Sequence, residues 1–435
     1  MSLRPAARLP LLLAVALALA LTAVNAPARA AAPTLKPNDP RVLTDWNLIA
    51  VETLRTDATK TVPEAWLYMG FVQAAVYDAV VGIRGGFEPY SYDEKPTRPA
   101  SPTAAAMAAA HRILVEYRPN AKTALDASLA ASLAEVRDGT AKTNGIAFGR
   151  AVAEHLIAVR STDHRGAAVS FTEPPAPGVW RPTAPANAPF QVPWFGGVTP
   201  LMAQSGAQFD PGPPPSLTSA TYTRDFAEVK TYGVRSGSSR SPEQTDTAIY
   251  FSGDPVRQFN YALRDQVTAR GLDLVESARV LAAVNMSVAD GLIAVWYAKL
   301  KYPSWRPVTA IRLADTDAND ATAADTTWEP FVLSTPSVQT PPYPDWVSGY
   351  AGVTGAFSRS LARALGVQPL DINLISTAAP GTTRHYDTES ALNQQVVDAR
   401  VWLGIHFRFA DTAGLQVGQH AADYGLDHYF APADD

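Results

Sequence analysis

The sequence predicts an all-α protein built as a helical bundle, on three observations. Apolar residues recur at helical spacing through most of the chain. One stretch, Leu274 to Lys301, is apolar almost all round, which marks a central buried helix. No alternation of apolar and polar residues runs long enough to build a sheet.

Taken in order, the first 30 residues read as a secretory signal peptide. Arg4 and Arg8 give a basic start, Leu9 to Val24 is an apolar run, and Ala28 to Ala30 offers a small-x-small site with cutting after Ala30. The alternative is a membrane anchor, for which the run is shorter than the ~20 residues of a span. On this reading the mature protein is secreted, and no second segment is long and apolar enough to cross a membrane. A Pro-containing leader (31–41) precedes one helical domain (42–430), and 431–435 is a tail.

Helical spacing predicts helices over Asp45 to Leu54, Glu64 to Ile83, Thr103 to Tyr117, Lys122 to Val136 and Lys142 to Val159. Residues 171–216 change character, holding twelve of the 36 prolines together with Trp180 and Trp194. A linker is poor in aromatics, so this stretch predicts an irregular excursion packed over the helical body, of the kind that walls a site. Helices resume at Ser219 to Val229, Glu243 to Phe251 and Val256 to Arg270, then Leu274 to Lys301. Asp290 lies in that last helix. As a buried carboxylate it needs a partner, either an arginine of a functional site or a hydrogen bond from a neighbouring helix. Gly349 to Leu365, Ser390 to Val401 and Thr412 to Phe430 complete the set.

The bulk properties narrow the function. The chain has 435 residues, 47% of them hydrophobic and 18% charged, which is a globular composition with a real core. The formal net charge is -5 and no run of like charge gives a nucleic-acid or anionic-membrane footprint. The absence of cysteine excludes disulfides, a thiol nucleophile and thiolate metal sites.

Three segments in the last third carry the chemistry. Lys299 and Arg306 stand seven apart at the end of the buried helix, with Pro303 and Pro307 fixing its exit and Trp305 placed to pack the arginine. Residues 341–350 (PPYPDWVSGY) form a proline-stiffened loop running into Ser348 and Gly349 at a helix start, where backbone N–H groups favour an anion and glycine permits close approach. Arg400 and His406 stand six apart around Gly404. Singly, each has an ordinary reading as a solvated face, a helix cap or a structural histidine. Together they make a kit: one lysine and two arginines neutralise anionic oxygens, Ser348 and the Gly349 amide add neutral donors, and His406 adds a nucleophilic nitrogen.

The order Lys-x6-Arg-Pro, Ser-Gly, Arg-x5-His resembles the vanadium-dependent haloperoxidases and type 2 phosphatidic acid phosphatases. Residues 66–83 (WLYMGFVQAAVYDAVVGI), Trp180 to Pro182, Phe209 to Pro215, Pro242 to Thr245 and Trp305 to Arg312 are similar to secreted bacterial members of the haloperoxidase branch. The resemblance covers about residues 42–430. It implies that Lys299, Arg306 and Arg400 clamp the equatorial oxygens of vanadate, with phosphate as a competing occupant. It implies that Ser348 and Gly349 donate to the same oxygens, and that His406 is the axial ligand or, in a phosphatase, the nucleophile.

The chain departs from that pattern at three places. The family's second histidine should follow Ser348 and Gly349, and Tyr350 stands there. A phenol is a poor base at neutral pH, so Tyr350 either retains a catalytic role or simply fills the space. The family's third motif places an aspartate four residues after the histidine; this chain has Ala410 there and Asp411 next. His385 lies outside the pattern and is a candidate replacement proton carrier. Tyr343, seven residues before Tyr350, stands where the family has a residue beside the anion.

Three functions follow from this reading. The first is a vanadate-dependent peroxidase using hydrogen peroxide to oxidise halide or a related nucleophile. The second is a phosphoric-ester hydrolase working through phospho-His406. The third is an oxyanion-binding protein impaired by Tyr350. All three take small-molecule partners, none takes nucleic acid, and an oligomer is compatible with each.

Overall fold

The computed structural model describes residues 35–57, 60–332, 340–367 and 370–433; the signal-peptide reading lies outside them. Thirteen α-helices occur among the described residues. The first five are α1 (Arg41–Arg55), α2 (Val62–Arg84), α3 (Pro102–Tyr117), α4 (Lys122–Ala134) and α5 (Thr140–Val159). After the excursion come α6 (Ala220–Tyr232), α7 (Pro242–Tyr250), α8 (Pro255–Ala269), α9 (Leu274–Lys301) and α10 (Pro307–Arg312). The chain closes with α11 (Gly349–Leu365), α12 (Glu389–Trp402) and α13 (Arg408–His428).

Local sequence explains where these helices start. Thr61 with Glu64, Ser241 with Gln244 and Asp273 with Glu276 each close a capping box, fixing the first turns of α2, α7 and α9. Proline at the first turn of α2, α3, α7, α8 and α10 costs no hydrogen bond there.

The core is organised around α9, which packs against α2, α11 and α13, while α2 in turn packs on α3 and α3 on α5. By length and composition both α2 and α9 could cross a membrane, which corrects the expectation of no such segment; in this fold both are buried. Helices α11 and α13 touch backbone to backbone, since a side chain at Gly414 or Gly418 would run into the carbonyl of Ser348 or Gly352. That contact brings the start of α11 against the start of α13, and Ser348 N–H donates to the Ala410 carbonyl at 2.9 Å.

The helical class holds, with one small exception. Ile372–Ile375 (β1) and Thr383–Tyr386 (β2) pair as an antiparallel hairpin. Each strand has four residues, too few for a visible alternation. The excursion at 171–216 contains two short 3-10 turns, Pro193–Gly197 and Gly206–Phe209. Trp180, Phe190 and Phe195 bury their rings in the main core.

Asp290 holds this excursion down. Its carboxylate accepts the backbone N–H groups of Leu201, Met202 and Ala203 at 2.6, 2.7 and 2.8 Å. Neither an arginine of the site nor a neighbouring helix is its partner, contrary to both expectations. A buried carboxylate takes whichever donors are nearest, and here they are the amides of a loop laid across α9.

Candidate oxyanion site

Five segments meet where α9 ends. Helix α9 brings Lys299, the residue before α10 is Arg306, and the last turn of α12 brings Arg400. The loop between α12 and α13 carries His406, and the start of α11 supplies Ser348, Gly349 and Tyr350. Lys299, Arg306 and Ser348 are wholly buried, His406 is 1% exposed and Arg400 is 7% exposed. Burying three cations together is costly unless something compensates them.

Each cation is held from behind by carbonyls. Lys299 Nζ donates to the carbonyls of Pro344 and Asp345 at 2.6 and 3.2 Å. Arg306 donates from Nε to Tyr343 at 2.7 Å and from Nη1 to Ile405 at 2.8 Å. Arg400 donates from Nη1 to Phe251 at 2.9 Å. Two buried donors, Arg306 Nη2 and Arg400 Nε, have no hydrogen-bond partner among the described residues. Buried N–H groups without acceptors are rare in folded proteins, so this donor set fits a tetrahedral oxyanion with several acceptor oxygens.

Tyr343 packs its ring on two of these cations, its centroid lying 4.9 Å from Lys299 Nζ and 4.7 Å from Arg306 Cζ. Trp305, expected to pack Arg306, is buried in a cluster with Tyr222 and Phe407.

The protonation of His406 follows from its neighbours. Arg306 Nη1 lies 3.1 Å from Nε2, and a guanidinium only donates, so Nε2 is the acceptor and the ring proton sits on Nδ1. Nδ1 stands 2.7 Å from Asp345 Oδ1. Burial, then Arg306, Lys299 and Arg400, push the histidine well below its ordinary value, leaving a neutral imidazole. Burial likewise pushes Lys299 well down, with Arg306 adding to the effect. The Asp345 carboxyl is pushed up to about 7 by burial, against the opposing pull of Arg306 and Lys299. Asp345 had no signal in the motif reading, although it lies inside the quoted loop.

The other residues fall into place around this centre. Ser348 caps α11, its hydroxyl accepting from Ala351 N–H at 3.4 Å. Gly349 is the first residue of α11, where the N–H has no intrahelical partner. Its missing side chain makes room for Trp296, whose ring a Cβ would approach to 3.3 Å, so indole packing accounts for glycine here. Asp411 is buried behind Ser348 and Arg400; burial pushes its carboxyl well up, while Ser348 and Arg400 pull the other way. Asp345, not Asp411, is the carboxylate beside His406.

His385 is not part of the centre. It lies on the exposed face of β2, 3.1 Å from Asn373 Oδ1 and 2.9 Å from Asp387 Oδ1. Strand residues alternate faces, and Tyr386, the next residue, is the one turned into the core. Tyr350 is buried, and its hydroxyl donates to Gln258 Oε1 of α8.

A cavity of about 180 Å³ opens beside the cluster, lined by Arg400, Tyr350, Gly349, Tyr343, Trp296 and Gln191 among others. Lys299, Arg306 and His406 are not in its lining and lie deeper.

Comparison with known proteins agrees with this fold. Residues 279–434 match the family model for the VCPO second helical-bundle domain, a range that includes every cation of the site. The vanadium chloroperoxidase of Curvularia inaequalis is 24% identical over 318 residues, 56% of this chain and 51% of the relative. The chain thus spans about half the length of the curated relative it matches. Among solved structures, a bacterial vanadium-dependent iodoperoxidase superposes with a TM-score of 0.76 at 20% identity, covering 91% of this chain and 98% of that one. A holo bacterial vanadium-dependent chloroperoxidase gives a TM-score of 0.67 at 16% identity, covering 86% and 93%. Residues 279–434 are thus similar to the second helical-bundle domain of the vanadium chloroperoxidases, and the fold of the described residues is that of the bacterial vanadium-dependent haloperoxidases.

Proposed function

We propose that this protein is a vanadate-dependent peroxidase that uses hydrogen peroxide to oxidise a halide or a related small nucleophile. The observation that carries the reading is the pair of buried, unpartnered donors, Arg306 Nη2 and Arg400 Nε, converging with Lys299 beside an imidazole whose Nε2 is free of its proton. Vanadate bound there supplies a Lewis-acid centre that polarises peroxide without a change in its own redox state.

The chain's own residues do the rest. Lys299, Arg306 and Arg400 neutralise the anion's charge in surroundings where water is excluded and each charge counts for more. Gly349 N–H and the Ser348 hydroxyl add donors at the start of α11, where the helix dipole favours negative charge. His406 offers Nε2 as the ligand atom, and the carbonyls behind Arg306 fix that guanidinium against it. The cavity of about 180 Å³ supports small reactants, being below the roughly 300 Å³ at which drug-sized pockets begin.

A specific observation favours a second reading, an oxyanion-binding protein with little turnover: the Tyr350 hydroxyl is committed to Gln258. One assay separates the two. With vanadate and peroxide, bromination of a phenol indicator is expected for the wild type and lost in His406→Ala. Saturable vanadate binding with no turnover between pH 4 and 8 would leave the binding reading alone standing. The same account takes residues 1–30 as a leader removed on export; the N-terminal sequence of the secreted form tests that.

A further inference from the structure

Tyr350 sits in the first turn of α11 with its side chain largely buried. The guanidinium of Arg400 lies against its ring, with Cζ 4.6 Å from the centroid. Phe251 and Phe259 stand edge-on to the same ring, at 6.3 and 6.1 Å between centroids. The hydroxyl donates to Gln258 Oε1, and Gln258 is itself 1% exposed on α8. Helix α8 is anchored in turn to α1, where Arg257 Nη2 meets Glu52 Oε2 at 3.0 Å.

Arg400 has few other restraints. Its one hydrogen bond among the described residues is from Nη1 to the carbonyl of Phe251, the residue whose ring also braces Tyr350. A single hydrogen bond leaves a guanidinium free to swing about that contact; an aromatic face beneath it removes that freedom. The phenolic proton, meanwhile, is taken up by an amide oxygen that can only accept.

We infer that Tyr350 is the positioning residue of Arg400 and not a proton carrier: it is held by Gln258 and offers its ring as a shelf that leaves Arg400 Nε–H free for the oxyanion. This rests on the oxyanion reading of the site. The ring, not the hydroxyl, is the working part. Burial also raises the phenol above its ordinary value, in keeping with a hydroxyl that stays neutral.

The test is calorimetric titration of the vanadate-free protein with orthovanadate. Tyr350→Phe keeps the shelf, and its affinity is expected within twofold of wild type. Tyr350→Leu removes the shelf and is expected to weaken binding at least tenfold, with melting curves confirming a folded protein. A tenfold loss in Tyr350→Phe would overturn the inference by making the hydroxyl a contact of the anion. Wild-type affinity in folded Tyr350→Leu would overturn it too. No binding by wild type would instead remove the oxyanion reading itself. Should Tyr350→Leu not fold, nitrogen-15 NMR supplies an independent readout. The Arg400 Nε–H signal, assigned through Arg400→Lys, is expected upfield from ring shielding in both wild type and Tyr350→Phe; an ordinary position in wild type contradicts the shelf.

Discussion

Nδ1 of His406 stands 2.7 Å from Oδ1 of Asp345, and both side chains are closed to solvent. The carboxylate comes from the loop before α11 and the imidazole from the loop before α13, so the pair fastens two halves of the site together. It also faces the ring proton that keeps Nε2 available. Outer partners of a ligand histidine are typically worth about 10–100-fold in affinity. Asp345→Asn is therefore expected to weaken orthovanadate binding by at least about tenfold, read by calorimetry. An unchanged dissociation constant would remove the carboxylate from the account.

Asp290 should behave differently, because its three partners are amides of the 201–203 loop. Asp290→Ala leaves those N–H groups without an acceptor, at about 1–3 kcal/mol each. The melting temperature should fall by roughly 4 °C or more, while folded protein keeps its orthovanadate affinity. A tenfold loss of affinity without a loss of stability would return Asp290 to the site.

Gly349→Ala tests the packing under the helix start. The new Cβ would stand 3.3 Å from the Trp296 ring, so either the indole or the first turn of α11 must move. Overpacking of this kind costs about 1–3 kcal/mol, and displacement of the α11 amides should weaken anion binding several-fold. Melting curves and the same titration check both. Wild-type values in both would mean that the space is softer than the geometry implies.

A pH dependence follows from the anchor of α8. Burial alone would raise the Glu52 carboxyl, but hydrogen bonds from Arg257 and Tyr261 outweigh it and hold the group below its ordinary 4.5. A carboxyl whose value is depressed by folding adds stability above the unfolded value and loses it as pH falls through the folded one. The pair is largely solvent-screened, so its contribution is about 1 kcal/mol or less. Glu52→Gln is expected to melt roughly 1 °C lower at pH 7, with the gap to wild type closing as pH falls below 4.5. A gap of equal size at pH 7 and pH 3 contradicts the assignment.

Much of this was legible in the sequence, and the parts that were not have physical reasons. Helix periods marked twelve helices to within a few residues, because that signal is local. The six-residue α10 and the hairpin at 372–386 are too short to show a period. Lys299, Arg306, Ser348, Gly349, Arg400 and His406 were readable because their spacing repeats a known order. Asp345 was not, since its value lies in a contact with a residue far along the chain. The same holds for Gln258, which meets Tyr350 only once α8 packs beside α11. Asp290 misled because burial states that a partner exists and says nothing of which one. The packing of Trp296 against Gly349 was likewise hidden, being a contact between residues far apart in the chain.

The central claim is that Lys299, Arg306, Arg400 and His406 form one oxyanion site that takes vanadate. The most direct measurement is a calorimetric titration of the vanadate-free protein with orthovanadate, run on wild type and on His406→Ala. The account expects one vanadate per chain for wild type, and at least about tenfold weaker binding when the ligand nitrogen is removed. Binding of equal strength in both proteins, or no binding by wild type, would contradict it.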